Sequence, residues 1–199
     1  MPSILGLTGN IASGKTTIGL MLLELGATEY VDADLVVHEL YLPGRPLVAQ
    51  LVEAFGARIL DAEGGVNRRA LGELVFGDPA KLRQLEALVH PAVQTALIER
   101  MRALPPDGIG VLDAIKLVES GYGPLCHGLW LVTCPPEIQL RRLVETRGLT
   151  EAEAKRRLAA QPAIEPKRAV ATEIIDNSGT LEQVRDQVTG AWQRFVASL

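Results

Sequence analysis

Apolar and polar positions alternate between two periods along this chain. Ile4 to Leu7 is a short apolar run with the length of a buried strand, and Ile18 to Leu25 returns apolar residues at helical spacing up to Gly26, a helix stop. Glu29 to Asp32 reads as a second strand, ending in Asp32-Ala33-Asp34. From Val36 to Leu104 the pattern is one of helices punctuated by turns. Leu47, Leu51, Val52 and Phe55 share a face, Asp61 to Gly65 turns, and Asn67 caps a helix running to about Val75. Asp78-Pro79 opens a further helix, and His90-Pro91 is read as the start of another, with proline at the tolerated first position. Strands return at Ile109 to Leu112, ending in Asp113, at Leu129 to Thr133 and at Ile174-Ile175. Between them, Pro135-Pro136 starts a helix ending at Gly148, Thr150 to Glu153 reads as a capping box, and Thr180 with Gln183 caps a last helix. Strands alternating with helices predict an α/β fold of three layers around a largely parallel sheet.

The junction of the first strand and first helix carries the clearest chemistry. Gly9, Asn10, Ile11, Ala12, Ser13, Gly14, Lys15 and Thr16 satisfy G-x-x-x-x-G-K-[ST], with strand before and helix after, and Thr17 follows. Glycines let backbone N–H groups turn around an anion, and the helix adds its positive end. Lys15 supplies a charge for β- and γ-phosphates, and the Thr16 hydroxyl is a ligand for Mg²⁺. A nucleoside triphosphate is the expected ligand, against the plain alternative of a glycine-rich turn.

Acidic residues end two strands. Asp113 is placed to hold the water shell of Mg²⁺, while Asp32 and Asp34 are either ligand-facing carboxylates or helix caps. Arg68, Arg69 and His90 are the polar candidates of the helical region, read equally as solvated or capping groups. Arg141, Arg142, Arg147, Lys155, Arg156 and Arg157, continued by Lys167 and Arg168, form a basic stretch. Such a run is either a solvated face or a lid that neutralises a migrating phosphoryl group. The expected organisation is one kinase domain. Its nucleotide-binding core covers about 1–35, 109–138 and 172–199, with a helical acceptor-binding insert at about 36–108 and a lid at about 139–165.

Composition narrows the partners. The 199 residues are 47% hydrophobic and 22% charged, enough for a packed core, and the net charge of -4 gives no general pull towards nucleic acid. Cys126 and Cys134 lack zinc-site companions and are expected as buried, reduced thiols. No apolar run reaches membrane-spanning length, and the loop lies too near Met1 for a cleaved signal, so the expectation is cytoplasmic, with no membrane and no obligatory protein partner. A guanine-specific switch would carry N-K-x-D, which is absent, and Asp61 to Gly64 matches D-x-x-G only in a turn. A small-molecule kinase is favoured over a regulatory nucleotide switch.

Several ordered motifs resemble the dephospho-coenzyme A kinase family: G-L-T-G-N-I-A-S-G-K-T-T at Gly6 to Thr17, D-A-D at Asp32 to Asp34, N-R-R-A-L at Asn67 to Leu71 and H-P at His90-Pro91. They continue with Arg142 and R-G-L-T at Arg147 to Thr150, A-A-Q at Ala159 to Gln161, and I-I-D-N-S-G-T-L at Ile174 to Leu181. The resemblance implies ATP-dependent phosphorylation of the ribose 3′-hydroxyl of dephospho-coenzyme A, with Mg²⁺ as cofactor; other phosphate-loop kinases of small molecules or nucleoside monophosphates are the alternative. It implies Asp34 as general base, Lys15, Arg142 and Arg157 as charge stabilisers, Asn177 in the adenine pocket, and an acceptor received near Asp34, Arg69 and His90. Two features depart from the family pattern. Asn10 and Ala12 replace glycines, and Asp113-Ala114-Ile115-Lys116 replaces a proline-containing loop, adding Lys116, which is expected to face the acceptor's anionic groups.

Overall fold

The computed structural model describes residues 2–199. Five strands, β1 (Ser3–Thr8), β2 (Glu29–Asp32), β3 (Ile109–Asp113), β4 (Gly128–Thr133) and β5 (Glu173–Asp176), form one sheet in the order β2-β3-β1-β4-β5. Strand β1 pairs in parallel with β3 and β4, with Leu5 opposite Val111 and Gly128, and β4 pairs in parallel with β5. Parallel strands need crossovers, and the helical stretches of the sequence supply them.

One face of the sheet carries the main core. Leu5, Leu7, Val111, Trp130, Val132 and Ile175 meet Ile18, Met21 and Leu22 of α1 (Lys15–Glu24) and Val184, Val188, Ala191, Trp192 and Phe195 of α9 (Leu181–Ala197). Helix α9 begins at Thr180 with a complete capping box, as its T-x-x-Q spacing predicts. On the other face the strand glycines admit close neighbours: a Cβ at Gly110 would lie 2.5 Å from the Met101 sulfur, and one at Gly6 2.9 Å from that of Cys126. Both layers therefore follow from strand alternation between large residues and glycine.

The chain divides into two compact units, one running up to Val31 and from Met101 to Leu199, the other Asp32–Arg100. The second unit holds α2 (Ala33–Leu40), α3 (Pro46–Phe55), α4 (Arg68–Val75) and most of α5 (Pro79–Arg102). Its core contains Val36, Leu47, Leu51, Phe55, Ile59, Leu71 and Val75. Asn67 caps α4 by accepting from the Arg69 and Ala70 N–H groups, as expected. Asp61 builds its turn by accepting from Glu63 and Gly65, which accounts for the D-x-x-G match without any nucleotide.

Two local expectations change. Pro91 does not start a helix but lies inside the 24-residue α5. Val89, Val93, Leu97 and Met101 are buried at every fourth position across it, whereas Ala87, whose carbonyl loses its helical donor, and Pro91 are exposed. The continuous apolar stripe outweighs the break, and the missing bond falls on the solvent side. Helix α7 (Glu151–Ala159) is capped by Thr150, but Glu153 accepts from the Thr150 hydroxyl, so the box is half made.

Candidate active site

The turn between β1 and α1 is held in an anion-cradling shape by residues that leave little freedom. Gly9 has φ 153°, and a Cβ there would lie 2.4 Å from the Val132 carbonyl oxygen. Gly14, the N-cap of α1, has φ 97°, and its Cβ would lie 1.9 Å from the Asn177 side-chain nitrogen. These two glycines are required by space as well as by backbone conformation. Ala12 also adopts a left-handed backbone, with φ 58°, at a cost of about 1–2 kcal/mol for a residue with a Cβ. Asn10 does not; its side chain is used instead, as described below.

Strained backbone persists where its surroundings over-determine it. Arg142, on α6 (Pro136–Glu145), donates from Nη1 to the Ala12 carbonyl at 3.2 Å and the Ser13 carbonyl at 3.1 Å, and from Nη2 to the Asn177 carbonyl at 3.0 Å. Asn177, buried just after β5, donates to the Ser13 carbonyl at 2.7 Å. On the other side of the loop, the Ile11 N–H donates to the Gln161 side-chain oxygen at 2.9 Å. The Ser13 hydroxyl is buried and has no hydrogen-bond partner among the described residues.

Beside this loop is a cavity of about 510 Å³ lined by Ala12, Gly14, Lys15, Thr16, Thr17, Arg142, Thr146, Arg147, Asn177, Gly179 and Leu181. Lys15 Nζ is 3.7 Å from Asp113 Oδ1, both side chains being largely buried. The Tyr30 hydroxyl donates to Asp113 Oδ2 at 2.5 Å. The aspartate ending β3 is thus paired with the loop lysine. Cys134 Sγ accepts from Arg142 at 3.7 Å, and partial burial raises its thiol pKa although Arg142 opposes the shift. Both cysteines are free thiols of intermediate exposure.

The predicted residues separate into those gathered here and those that are not. Gly9, Asn10, Ile11, Ala12, Ser13, Gly14, Lys15, Thr16, Thr17, Asp113, Arg142 and Asn177 belong to the loop and its supports. Arg157 is exposed on α7 and is not among the cavity residues, whereas Arg147, three residues before the Thr150 cap, is. Lys116 is exposed in the turn after β3, and the Ser120 N–H donates to its carbonyl at 2.8 Å. In the second unit, Asp34 is exposed in the first turn of α2, and Asp32 is the cap, accepting from the Asp34 N–H at 2.8 Å. Arg69 is exposed on α4 and paired with Glu73 at 2.9 Å, and His90 is exposed on α5. Lys167 is the clear reversal: it is completely buried rather than part of an exposed basic run, because Glu119 and Asn10 partner its ammonium. Sequence reading did not identify Gln161, Lys167, Gly179 or Leu181 as parts of the site. The A-A-Q and N-S-G-T-L motifs marked their neighbourhoods only.

The dephospho-CoA kinase family model matches residues 3–183. A dephospho-CoA kinase of Symbiobacterium thermophilum is 43% identical over 192 residues, covering 96% of this chain and 80% of that protein. Among solved structures, a Thermus thermophilus protein superposes with TM-score 0.83 at 34% identity over 97% of both chains. The dephospho-CoA kinase from Campylobacter jejuni gives TM-score 0.73 at 26% identity, covering 99% of this chain and 98% of that one.

Proposed function

The chain belongs to the dephospho-CoA kinase family, and from that premise we propose that it transfers the γ-phosphoryl group of ATP to the ribose 3′-hydroxyl of dephospho-CoA, giving CoA and ADP. The observation that carries the reading is the Lys15 ammonium on the wall of a cavity bounded by the phosphate loop, Arg142 and Arg147. Such a wall concentrates positive charge and N–H donors where a triphosphate's charge must be neutralised.

In this reading Lys15 leaves Asp113 for the β- and γ-phosphates, and Arg142 and Arg147 face the nucleotide from α6 and the turn after it. Gly179 and Leu181 border the adenine, with Asn177 holding the loop beneath. Mg²⁺ suits the donors present: the exposed Thr16 hydroxyl and the Asp113 carboxylate are hard oxygen ligands. No group of three or more His, Cys, Asp or Glu among the described residues could hold a metal. Thr16 and Asp113 are the residues that would hold the ion, Asp113 by way of its water shell. When bound, Mg²⁺ would supply positive charge that offsets the charge of the phosphates.

Asp34 is assigned as the base. Capping of α2 is done by Asp32, which leaves the Asp34 carboxylate without that duty, two residues beyond the end of β2. Strand ends of this kind carry the ligand-facing groups of open parallel sheets. Arg69, His90 and Lys116 are assigned to the acceptor, and residues 139–165, with the exposed Arg157, to a lid. No helix among the described residues is long and apolar enough to cross a membrane, and we place the reaction in the cytoplasm. ADP release measured with MgATP and an acceptor panel tests the reading: dephospho-CoA should support turnover and shikimate or nucleoside monophosphates should not. Turnover restricted to another acceptor would overturn it.

A further inference from the structure

Lys167 is fully buried on α8 (Glu165–Val170), where an ammonium is costly unless well partnered. It has two partners. Glu119 Oε1 lies 3.3 Å away, and the ammonium donates to the side-chain oxygen of Asn10 at 3.3 Å. The same Asn10 side chain donates at its other end to the Pro162 carbonyl at 3.5 Å, and the next residue, Ile11, donates its N–H to Gln161 at 2.9 Å. Three bonds from one short segment, residues 161–167, therefore grip the first half of the phosphate loop, while Arg142 and Asn177 hold its second half. Replacing an ion pair of this kind as a unit by apolar residues is often neutral for stability, so a buried ammonium aimed at the loop points to a role beyond packing.

We propose that Lys167 is a positioning residue for nucleotide binding, acting through Asn10 to hold the phosphate loop in the shape that receives the β- and γ-phosphates. Glu119 neutralises the ammonium and keeps it aimed at Asn10. Glycine at position 10 would leave the Lys167–Pro162 gap unspanned, so this chain's asparagine is the residue that makes the staple. The loop then enters binding already ordered, and the ordering entropy is not charged against affinity. The strained Ala12 backbone, two residues on, is held from the other side by Arg142.

The inference rests on the loop being the nucleotide site, and not on the identity of the acceptor. It is tested with the whole chain by calorimetric titration with a non-hydrolysable ATP analogue and Mg²⁺, alongside steady-state kinetics, for wild type, Asn10→Gly, Lys167→Met and the double variant. Each single variant should weaken analogue binding by about tenfold and raise the ATP KM to match, with the acceptor KM unchanged, and the double variant should be no weaker than either single one. Glu119→Gln should weaken binding less. Additive losses, or single variants that bind as tightly as wild type, would overturn the proposal. A structural role alone would lower the folded fraction and apparent kcat while leaving KM and the dissociation constant unmoved. If Lys167→Met does not fold, Asn10→Gly and Glu119→Gln decide alone: undiminished binding in both refutes the staple. Should wild type itself bind no nucleotide, the reading of the loop fails before the staple is reached.

Discussion

The side-chain amide of Asn177 donates to the carbonyl oxygen of Ser13 at 2.7 Å, tying the turn after β5 to the phosphate loop. Its own carbonyl accepts from Arg142, which also holds Ser13, so three residues share one hydrogen-bonded knot. Asn177→Ala removes one arm and leaves a pocket beside Gly14. We expect nucleotide binding to weaken by about 1–3 kcal/mol, measured by calorimetry with an ATP analogue, and acceptor affinity to stay unchanged. Loss of stability with undiminished nucleotide affinity would show the knot to be structural only.

Lys15 carries a separate prediction. Its ammonium stands near Asp113, which keeps its bond from Tyr30 when the lysine is removed. Lys15→Ala should therefore fold, with a circular-dichroism melt close to wild type, while kcat falls by more than about tenfold, or ~1.4 kcal/mol. Retention of most of the turnover would contradict a phosphate-stabilising role.

The two strand-end aspartates should behave differently. Asp32 caps α2, so Asp32→Ala should cost about 1 kcal/mol of stability in chemical denaturation. Asp34→Asn keeps the shape and an accepting oxygen but loses the carboxylate proposed as the base, so kcat should fall by roughly 10²- to 10⁴-fold at near-native stability and nucleotide affinity. A large kcat defect in Asp32→Asn alone would reverse the two roles.

Much of the local structure was legible in the sequence, and for physical reasons. The phosphate loop, the Asn67 cap and the Thr180–Gln183 box are local: each depends on groups within a few residues, so spacing reports them. Pro91 misled because its local effect on the helix is opposed by an apolar stripe that only the folded chain completes. Lys167 misled because its partners are 157 and 48 residues away in sequence, at Asn10 and Glu119, and no local pattern distinguishes a buried lysine from a solvated one. The spacing of Asp32 and Asp34 left open which of them caps α2, because that role shows only in the folded first turn, where Asp32 accepts from the Asp34 N–H.

Alkaline pH should destabilise the fold through groups that must stay neutral. Burial pushes the Cys126 thiol from 9.0 up to about 12. Burial also raises Tyr41, with Arg68 opposing, and Tyr122, from 10.0. A group whose folded pKa lies above its unfolded one contributes stability in full below the unfolded value and loses it as pH rises through the folded value. Stability in urea should thus decline as pH rises from about 9 towards 12, with the first part of the decline reduced in Cys126→Ala. A flat profile across that range would contradict the burial of these groups.

The most direct measurement is the position of the transferred phosphate. Dephospho-CoA converted by the protein with MgATP should give one product in which phosphorus–proton correlation NMR places the new phosphate on the ribose 3′-oxygen, with ADP formed in equal amount. Phosphate on another oxygen, or ADP formed without a phosphorylated acceptor, would contradict the account.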